Sequence, residues 1–205
     1  MGTSVPFCLY ANFTISATVY YIDILKGDYI MIKFFIEPNY EVKAPTRDFG
    51  NAGVDFFIPN YSEAFVEAFR AKNAEKNANL ITLDDEYAIR VEPHGRVNIP
   101  SGVRSFISSN VALEAHNKSG IATKYGLVFG ASTVDANYQG IIHISLINTT
   151  DEPVFLPLGM KVVQFIPRLI DVSPIEVYTD ISMEEFYKDF EFSNRGEGAF
   201  GSTGV

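Results

Sequence analysis

The sequence predicts an all-β fold, and three features of the chain support this class. From Ile32 onward, short apolar runs alternate with turn residues, which is typical of a sandwich or barrel. The chain has 17 Phe, 11 Tyr and no Trp, with 15 Gly and 10 Pro. Aromatic residues favour strands, and Gly and Pro favour turns. A length of 205 residues with 47% hydrophobic residues suffices for one sizeable core, so we expect one domain with additions.

Residues 1–30 are interpreted as an N-terminal extension of unknown role. Its apolar patches are interrupted by Asn12 and Asp23, and no basic segment precedes them, so neither a signal peptide nor a membrane span is expected. An extra pair of strands is one interpretation of this segment. The main domain is expected to cover residues 31–192, beginning at Met31.

Five apolar segments within residues 31–192 are predicted to be strands. Each is short, and each is bounded by turn residues. They run from Tyr87 to Val91, Val97 to Pro100, Gly126 to Phe129, Ile141 to Ile147 and Lys161 to Ile166.

An insertion at residues 60–79 breaks the strand pattern and is predicted to contain a surface helix. It is rich in Ala, Glu and Lys, and Phe65 and Phe69 have helical spacing. Glu63 follows Asn60 by three residues, which is the spacing of a capping box. The insertion is also a candidate surface for a protein partner.

A second short helix is predicted to start at Ser182. Glu185 follows Ser182 at the spacing of a capping box, and Phe186 and Phe190 are expected to face the core. Residues 193–205 form a glycine-rich arm with few residues that could be buried. We therefore predict that this arm is mobile when no ligand is present.

Charge and cysteine content narrow the classes of function. The formal net charge is −9, which argues against stable nucleic-acid binding because a polyanion would be repelled. The single cysteine, Cys8, cannot form an internal disulfide, so the fold needs no oxidising compartment and we expect a cytoplasmic protein. The interrupted apolar patches of residues 1–30 predict no membrane attachment. His94, His116 and His143 lack the spacing of metal ligands.

Three segments carry residue types that suit chemistry, although each has a simpler structural interpretation. Asp135 and Tyr138 lie in a turn between two apolar strands, where Asp often serves only to form the turn. Lys118, Ser119 and Gly120 could bind an oxyanion, but such triplets are commonly plain loops. The glycine-rich arm, headed by Arg195, has the parts of a phosphate cradle, but its composition also fits a disordered terminus.

Five segments in order resemble the five motifs of the trimeric dUTP diphosphatase family. They run from Ala52 to Phe56, Lys118 to Ala122, Val134 to Gly140, Gly159 to Ile166 and Arg195 to Gly204. The order makes the resemblance far more specific than any single motif. The chain departs from the usual pattern in having Lys118 for arginine, and also at Asn117, Ser132, Thr133, Met160 and Ala199.

The resemblance implies a jelly-roll-like β-barrel that forms a homotrimer, with active sites at the subunit boundaries. The implied reaction is magnesium-dependent hydrolysis of dUTP to dUMP and pyrophosphate, by attack of water on the α-phosphorus. Asp135 would be the catalytic base, and Asp55 would hold water ligands of a magnesium ion chelated by the phosphates. Tyr138 would pack under the deoxyribose, and the main chain near Thr133 and Val134 would bind uracil.

The other implied contacts involve the phosphates and the closing arm. Substrate would be bound by Lys118, Ser119, Gly120 and Gln164, and by Arg195, Phe200, Gly201, Ser202 and Thr203. The arm would clamp the γ-phosphate and cover the uracil. Such an activity would limit uracil incorporation into DNA and supply dUMP.

Two alternatives remain open at this point. A dCTP deaminase shares the implied fold, and a regulatory binding module would use the nucleotide site to control docking through the 60–79 insertion. Asp135, Tyr138 and the glycine-rich arm favour the diphosphatase over both.

Overall fold

The computed structural model of the chain describes residues 19–23 and 29–188. In this part, residues in strands far outnumber residues in helices. The strands are β1 Val19–Asp23, β2 Tyr29–Ile36, β3 Val54–Phe57, β4 Ala78–Leu83, β5 Glu86–Val91, β6 Arg96–Pro100, β7 Val103–Ile107, β8 Val111–Asn117, β9 Leu127–Phe129, β10 Thr133–Val134, β11 His143–Asn148, β12 Val154–Pro157 and β13 Lys161–Leu169. The helices are α1 Glu63–Asn73, α2 Ser119–Tyr125 and α3 Met183–Phe186.

The strands form four antiparallel sheets. Their orders are β1-β2-β7, β10-β8-β13-β3, β6-β11-β9 and β12-β5-β4. Every pairing between named strands is antiparallel, and the connections in the first three sheets cross between distant parts of the sequence. This architecture confirms the predicted all-β class with short helical insertions.

The core consists mainly of Ile, Val and Leu side chains from the inward faces of the strands, with aromatic rings at its centre. Phe56 on β3 lies edge-on to Phe34 at 5.4 Å between ring centroids and to Phe165 at 4.8 Å. Edge-to-face pairs of this kind add to the stabilisation that comes from burial. The rings fasten β3 and β13, which also carry residues of the candidate site, to the centre of the fold.

The five predicted strands correspond to β5, β6, β9, β11 and β13, with ends that shift by one to three residues. Buried and less buried residues alternate along β11, as expected for a strand with one face towards the core. At the N-terminal side, β1 pairs with β2 in a register that places Val19 opposite Lys33.

The predicted helix of the insertion is α1, but its start differs from the prediction. Ser62 is the N-cap, and its hydroxyl accepts a hydrogen bond from the N–H of Phe65 at 3.3 Å. Asn60 is not the N-cap, and its side-chain amide donates to the carboxylate of Glu41. The apolar side of α1 is part of the core, since Phe65 and Phe69 are 0% and 1% exposed.

Asn73, the last residue of α1, is buried and fastens the helix to β6. Its Nδ2 donates to the carbonyl of Asn98 at 2.9 Å, and its Oδ1 accepts from the N–H of Asn98 at the same distance. A second bond from Nδ2 to the carbonyl of Phe69 means that both amide hydrogens are used. One side chain thereby pairs with the backbone of β6 as a neighbouring strand would.

Residues after Asp171 belong to a second compact unit. In its described part, Ser182 caps α3 by accepting from the N–H of Glu185 at 3.2 Å, as predicted. The prediction that Phe186 faces the core is wrong. Its side chain is 52% exposed, and its ring contacts Tyr178 and Tyr187 of the same unit. Phe190 lies outside the described residues.

No helix in residues 19–23 and 29–188 is both long enough and apolar enough to cross a membrane.

Candidate functional site

A cleft with three lysines lies where β3, β13 and α2 meet. We call it the lysine cleft. It has a volume of about 490 Å³ and is lined by Asn51, Ala52, Gly53, Asp55, Lys118, Ser119, Gly120, Ile121, Lys124, Tyr125, Met160, Lys161 and Gln164. The lining therefore has three ammonium groups and one carboxylate. In a chain with a net charge of −9, this is a local reversal of sign that favours an anionic ligand.

Asp55 is the centre of the charge arrangement in the lysine cleft. Its Oδ1 lies 2.5 Å from Nζ of Lys118, and its Oδ2 lies 2.8 Å from Nζ of Lys161. Burial raises the pKa of Asp55, but the hydrogen bonds and charges of the two lysines outweigh burial and lower the pKa below its usual value. Asp55 is therefore ionised at neutral pH and holds both ammonium groups in the cleft.

The register of β3 and β13 brings Gln164 directly opposite Asp55. Gln164 donates from its amide to the carbonyl of Asn117 at 3.3 Å, immediately before Lys118. Gly53 makes this arrangement possible, because a Cβ at that position would lie 2.7 Å from Oε1 of Gln164. Three of the five motif segments thus meet in one cleft.

Asp135 and Tyr138 line a second cleft, which we call the hairpin cleft. It has a volume of about 180 Å³ and is lined by Ala131, Ser132, Thr133, Val134, Asp135, Tyr138, Ile142, His143 and Phe165. Asp135 is exposed, and among the described residues no ion pair or side-chain hydrogen bond engages its carboxylate. Asp135 also borders a larger cavity of about 850 Å³ that extends to Phe106 and Ile170.

The Tyr138 ring is fixed by its own hairpin. Its hydroxyl donates to the carbonyl of Ile141 at 2.9 Å. Gly140 leaves the space that the ring needs, because a Cβ there would lie 2.4 Å from the Tyr138 hydroxyl oxygen. The aromatic ring therefore lies in the cleft with a defined orientation, although its side chain is 40% exposed.

His143 is the first residue of β11 and lines the hairpin cleft. Burial lowers its pKa below 6.5, and the charges of Lys72 and Lys76 lower it further, against a backbone hydrogen bond at Ile141 that raises it. The imidazole is therefore expected to be neutral at pH 7. A neutral ring can donate or accept a hydrogen bond but adds no positive charge to the cleft.

The two clefts have no lining residue in common. Gln164 lines the lysine cleft and Phe165 lines the hairpin cleft, and successive side chains on a strand point to opposite faces. Within the chain, Asp55, Lys118, Ser119, Gly120 and Gln164 are brought together. A separate group contains Thr133, Val134, Asp135 and Tyr138.

The residues present fit magnesium carried by a ligand rather than magnesium held by the protein alone. Within residues 19–23 and 29–188, no group of three or more His, Cys, Asp or Glu is arranged to hold a metal ion. Both oxygens of Asp55 face ammonium groups, which would repel a bare divalent cation. A polyphosphate that already chelates the metal remains anionic and matches the charge of the cleft.

Sequence reasoning missed Lys124 and Lys161, which line the lysine cleft, and it missed α2. Lys161 lies within the segment from Gly159 to Ile166, three residues before Gln164, so a basic residue facing the same cleft was readable there. The residues of the arm, Arg195, Phe200, Gly201, Ser202 and Thr203, lie outside the described residues.

The sequence is similar to a known protein family and to several of its members. A dUTPase family model matches residues 81–204. The chain is 30% identical over 155 residues to a deoxyuridine 5′-triphosphate nucleotidohydrolase of Haemophilus ducreyi, covering 74% of this chain and 90% of the relative. It is 33% identical over 158 residues to the protein of the same name from Actinobacillus pleuropneumoniae serotype 5b, covering 76% and 92%.

Solved structures show the same fold at lower identity. A mutant of the dUTPase of Staphylococcus bacteriophage 80alpha, with dUpNHpp, has a TM-score of 0.58 and 18% identity, covering 85% of this chain and 98% of that one. The dUTPase of EIAV has a TM-score of 0.51 and 17% identity, covering 75% and 100%. A mutant of the dUTPase from phage phi11 of S. aureus, with a TM-score of 0.54, shows the coordination of a structural Mg(II) ion. The jelly-roll-like fold expected from the sequence agrees with these neighbours.

Proposed function

The chain belongs to the dUTPase family, and from this we propose that it hydrolyses dUTP to dUMP and pyrophosphate by attack of water on the α-phosphorus. The observation that carries the proposal is the lysine cleft. It is formed by three motif segments, and its lining is positively charged although the chain has a net negative charge. We place the activity in the cytoplasm, because a chain with one cysteine has no internal disulfide to protect. It would limit uracil incorporation into DNA and supply dUMP.

The lysine cleft is proposed to bind the triphosphate. Attack on the α-phosphorus brings a nucleophile towards a polyanion, so neutralisation of charge lowers the barrier. Lys118, Lys124 and Lys161 supply positive charge, and Ser119 and Gln164 supply hydrogen-bonding groups on the same lining. Lys118 is a point charge where the family usually has arginine, so it can exchange its contact with Asp55 for one with a phosphate oxygen.

The hairpin cleft is proposed to bind the nucleoside, with Asp135 as the catalytic base. The exposure of Asp135, without an ion-pair partner among the described residues, leaves its carboxylate free to orient and deprotonate a water. Because β10 is an edge strand, Thr133 and Val134 have backbone groups on one side available to pair with uracil. Tyr138 would pack under the deoxyribose and reject a 2′-hydroxyl.

Magnesium is proposed to enter with the triphosphate and to neutralise its phosphates. The family is magnesium-dependent, and Asp55 is the proposed residue for contact with magnesium-bound water. That contact requires Lys118 or Lys161 to move from the carboxylate to a phosphate, because both carboxylate oxygens are engaged. The remaining lysine would keep Asp55 ionised.

A complete site is proposed to need more than one copy of the chain. The lysine cleft and the hairpin cleft line different faces of the same strand, and a single triphosphate nucleotide must reach both. A homotrimer would solve this by placing the lysine cleft of one subunit against the hairpin cleft of the next. The arm from Arg195 to Thr203 is proposed to close on the bound nucleotide.

The proposal is tested by measuring pyrophosphate release from dUTP, dCTP, dTTP, dATP, dGTP and UTP, each with magnesium and with a chelator. Efficient turnover of dUTP alone, suppressed by chelation, is expected. Comparable rates with dCTP or UTP would contradict the proposed site. Release of ammonia from dCTP without pyrophosphate would instead establish the deaminase alternative.

The alternative of a regulatory binding module would use the 60–79 insertion as its contact surface. The apolar side of its helix is buried at Phe65 and Phe69, which leaves its polar side for any contact with a protein partner. A stack of Tyr61 and Tyr87, with ring centroids 4.3 Å apart, adds exposed aromatic surface next to α1. Retained dUTP binding by a wild-type protein without turnover would favour this alternative.

A further inference from the structure

The segment that carries Asp135 is a long connection between two strands. β10 ends at Val134 and β11 begins at His143, so residues 135–142 lie outside both named strands. Near the start of this connection, the N–H of Tyr138 donates to the carbonyl of Asp135 at 3.1 Å. At its end, the N–H of Ile142 donates to the carbonyl of Val103 at 2.8 Å. The tip between these two bonds is exposed at Gln139.

Arg104 on β7 reaches this tip from a different sheet. Its Nη1 donates to the carbonyl of Gln139 at 2.6 Å. Its Nε donates to the carboxylate of Glu37, which follows β2. Because Arg104 is paired with Phe35 in the β2–β7 ladder, its backbone position is set by the sheet. The guanidinium therefore links a fixed sheet to the connection that carries Asp135.

We propose that Arg104 is a positioning residue that fixes the placement of Asp135 for the reaction. This inference rests on the proposed function. Arg104 does not line the hairpin cleft, and it acts on Asp135 through the backbone at Gln139. A planar guanidinium can hold Glu37 and the Gln139 carbonyl at the same time in a fixed geometry, which an ammonium group does less well.

The rate of the reaction is expected to depend strongly on the position of the Asp135 carboxylate. A misplacement of about 1 Å can reduce a rate by about a hundredfold even when binding contacts are retained. Loss of the Arg104 contact would let the tip move while β10 keeps its pairing with β8. We therefore expect a loss in kcat with little change in KM.

The test compares Arg104→Met and Arg104→Lys with the wild-type protein. For Arg104→Met we expect kcat for dUTP to fall by about 10- to 100-fold and KM to change by less than about threefold. Arg104→Lys should be intermediate. Arg90→Met is the matched control, because Arg90 is 41% exposed against 43% for Arg104 and forms an equivalent ion pair with Glu92. It should change kcat by less than about twofold.

Two further measurements separate positioning from a plain structural role. In an Asp135→Asn background, Arg104→Met should have almost no additional effect on kcat, because the base to be positioned is absent. Amide hydrogen exchange at residues 136–141 should accelerate in Arg104→Met but not in Arg90→Met.

The possible results have distinct meanings. Unchanged kcat and exchange in Arg104→Met would overturn the inference, as would a full additional loss in the Asp135→Asn background. A wild-type protein that fails to hydrolyse dUTP would refute the proposed function instead, and the exchange measurement would then still test whether Arg104 holds the tip.

Discussion

Asp55→Asn is expected to destabilise the fold, because it removes the charge that Lys118 and Lys161 share. Loss of one partner from a buried ion pair costs about 3–5 kcal/mol, whereas exposed pairs contribute at most about 1 kcal/mol. The Asp55 side chain is 11% exposed, but those of the two lysines are 26% and 38% exposed and can turn towards water. We therefore expect an intermediate loss of about 2 kcal/mol in the free energy of unfolding, or about 4–8 °C in Tm.

The effect of this substitution should depend on pH. The pKa of Asp55 is lowered in the folded state, so its ionised form stabilises the fold at pH values above the unfolded pKa. That stabilisation is lost as the pH falls through the folded pKa. The difference between the wild-type protein and Asp55→Asn should therefore be complete at pH 7 and shrink below about pH 4.

Urea unfolding at pH 7 and at pH 3, with equal protein concentrations, measures this difference. Asp151→Asn is a suitable control, since Asp151 contacts His94 at 3.0 Å with a side chain that is 96% exposed. It should change stability very little. The reasoning is refuted if Asp55→Asn has the same urea midpoint as the wild-type protein at pH 7, or if a difference at pH 7 persists undiminished at pH 3.

Three other predictions concern the hairpin cleft and the arm. Asp135→Asn should retain the fold and nucleotide binding but lower kcat by about a hundredfold or more, and near wild-type rates at saturating dUTP would exclude Asp135 as the base. Gly140→Ala should displace the Tyr138 ring and weaken discrimination of dUTP against UTP by about tenfold in kcat/KM, with circular dichroism as the check on folding. A chain ending at Ser193 should bind dUTP weakly and turn it over poorly. Refolding it together with Asp135→Asn should restore activity in mixed trimers, and inactive mixed trimers would contradict an arm that serves a neighbouring subunit.

Five of the thirteen strands in the described residues were predicted, because the patterns that mark them are local. In β11, the alternation of polar and apolar residues from His143 to Leu146 matches the alternation of less buried and buried side chains. The start of α1 was harder, because Asn60 and Ser62 are both good caps and lie two residues apart. In the structure Ser62 is the cap, and the side-chain amide of Asn60 donates to Glu41, which is distant in sequence. The sequence does not reveal that contact.

The helix α2 escaped prediction for a similar reason. Its residues Gly120, Ile121 and Thr123 have modest helix propensity, so local preference alone indicated a loop. Packing overrides this preference at Ile121, which is 6% exposed. Propensity is a weak guide where a short helix is fixed by one buried side chain.

The ion pairs of the lysine cleft could not be predicted from any local pattern in the sequence. The resemblance named Asp55 and Lys118, but the ion pair between Asp55 and Lys161 follows from the register that places Gln164 opposite Asp55. Register between strands about a hundred residues apart is set by the whole core. The resemblance assigned Asp55 to the metal, and the structure adds Lys161, which together with Lys118 engages both carboxylate oxygens.

The Asn73 amide also limits the addition of a further strand at one edge of a sheet. The strand β6 is at the edge of its sheet, and an open edge is a template on which another chain can add a strand. By binding both the N–H and the carbonyl of Asn98, Asn73 occupies one of the pairing positions along that edge. The inserted helix thus protects the β6 edge against the addition of another strand. A relative without this helix would need another way to protect the same edge from aggregation.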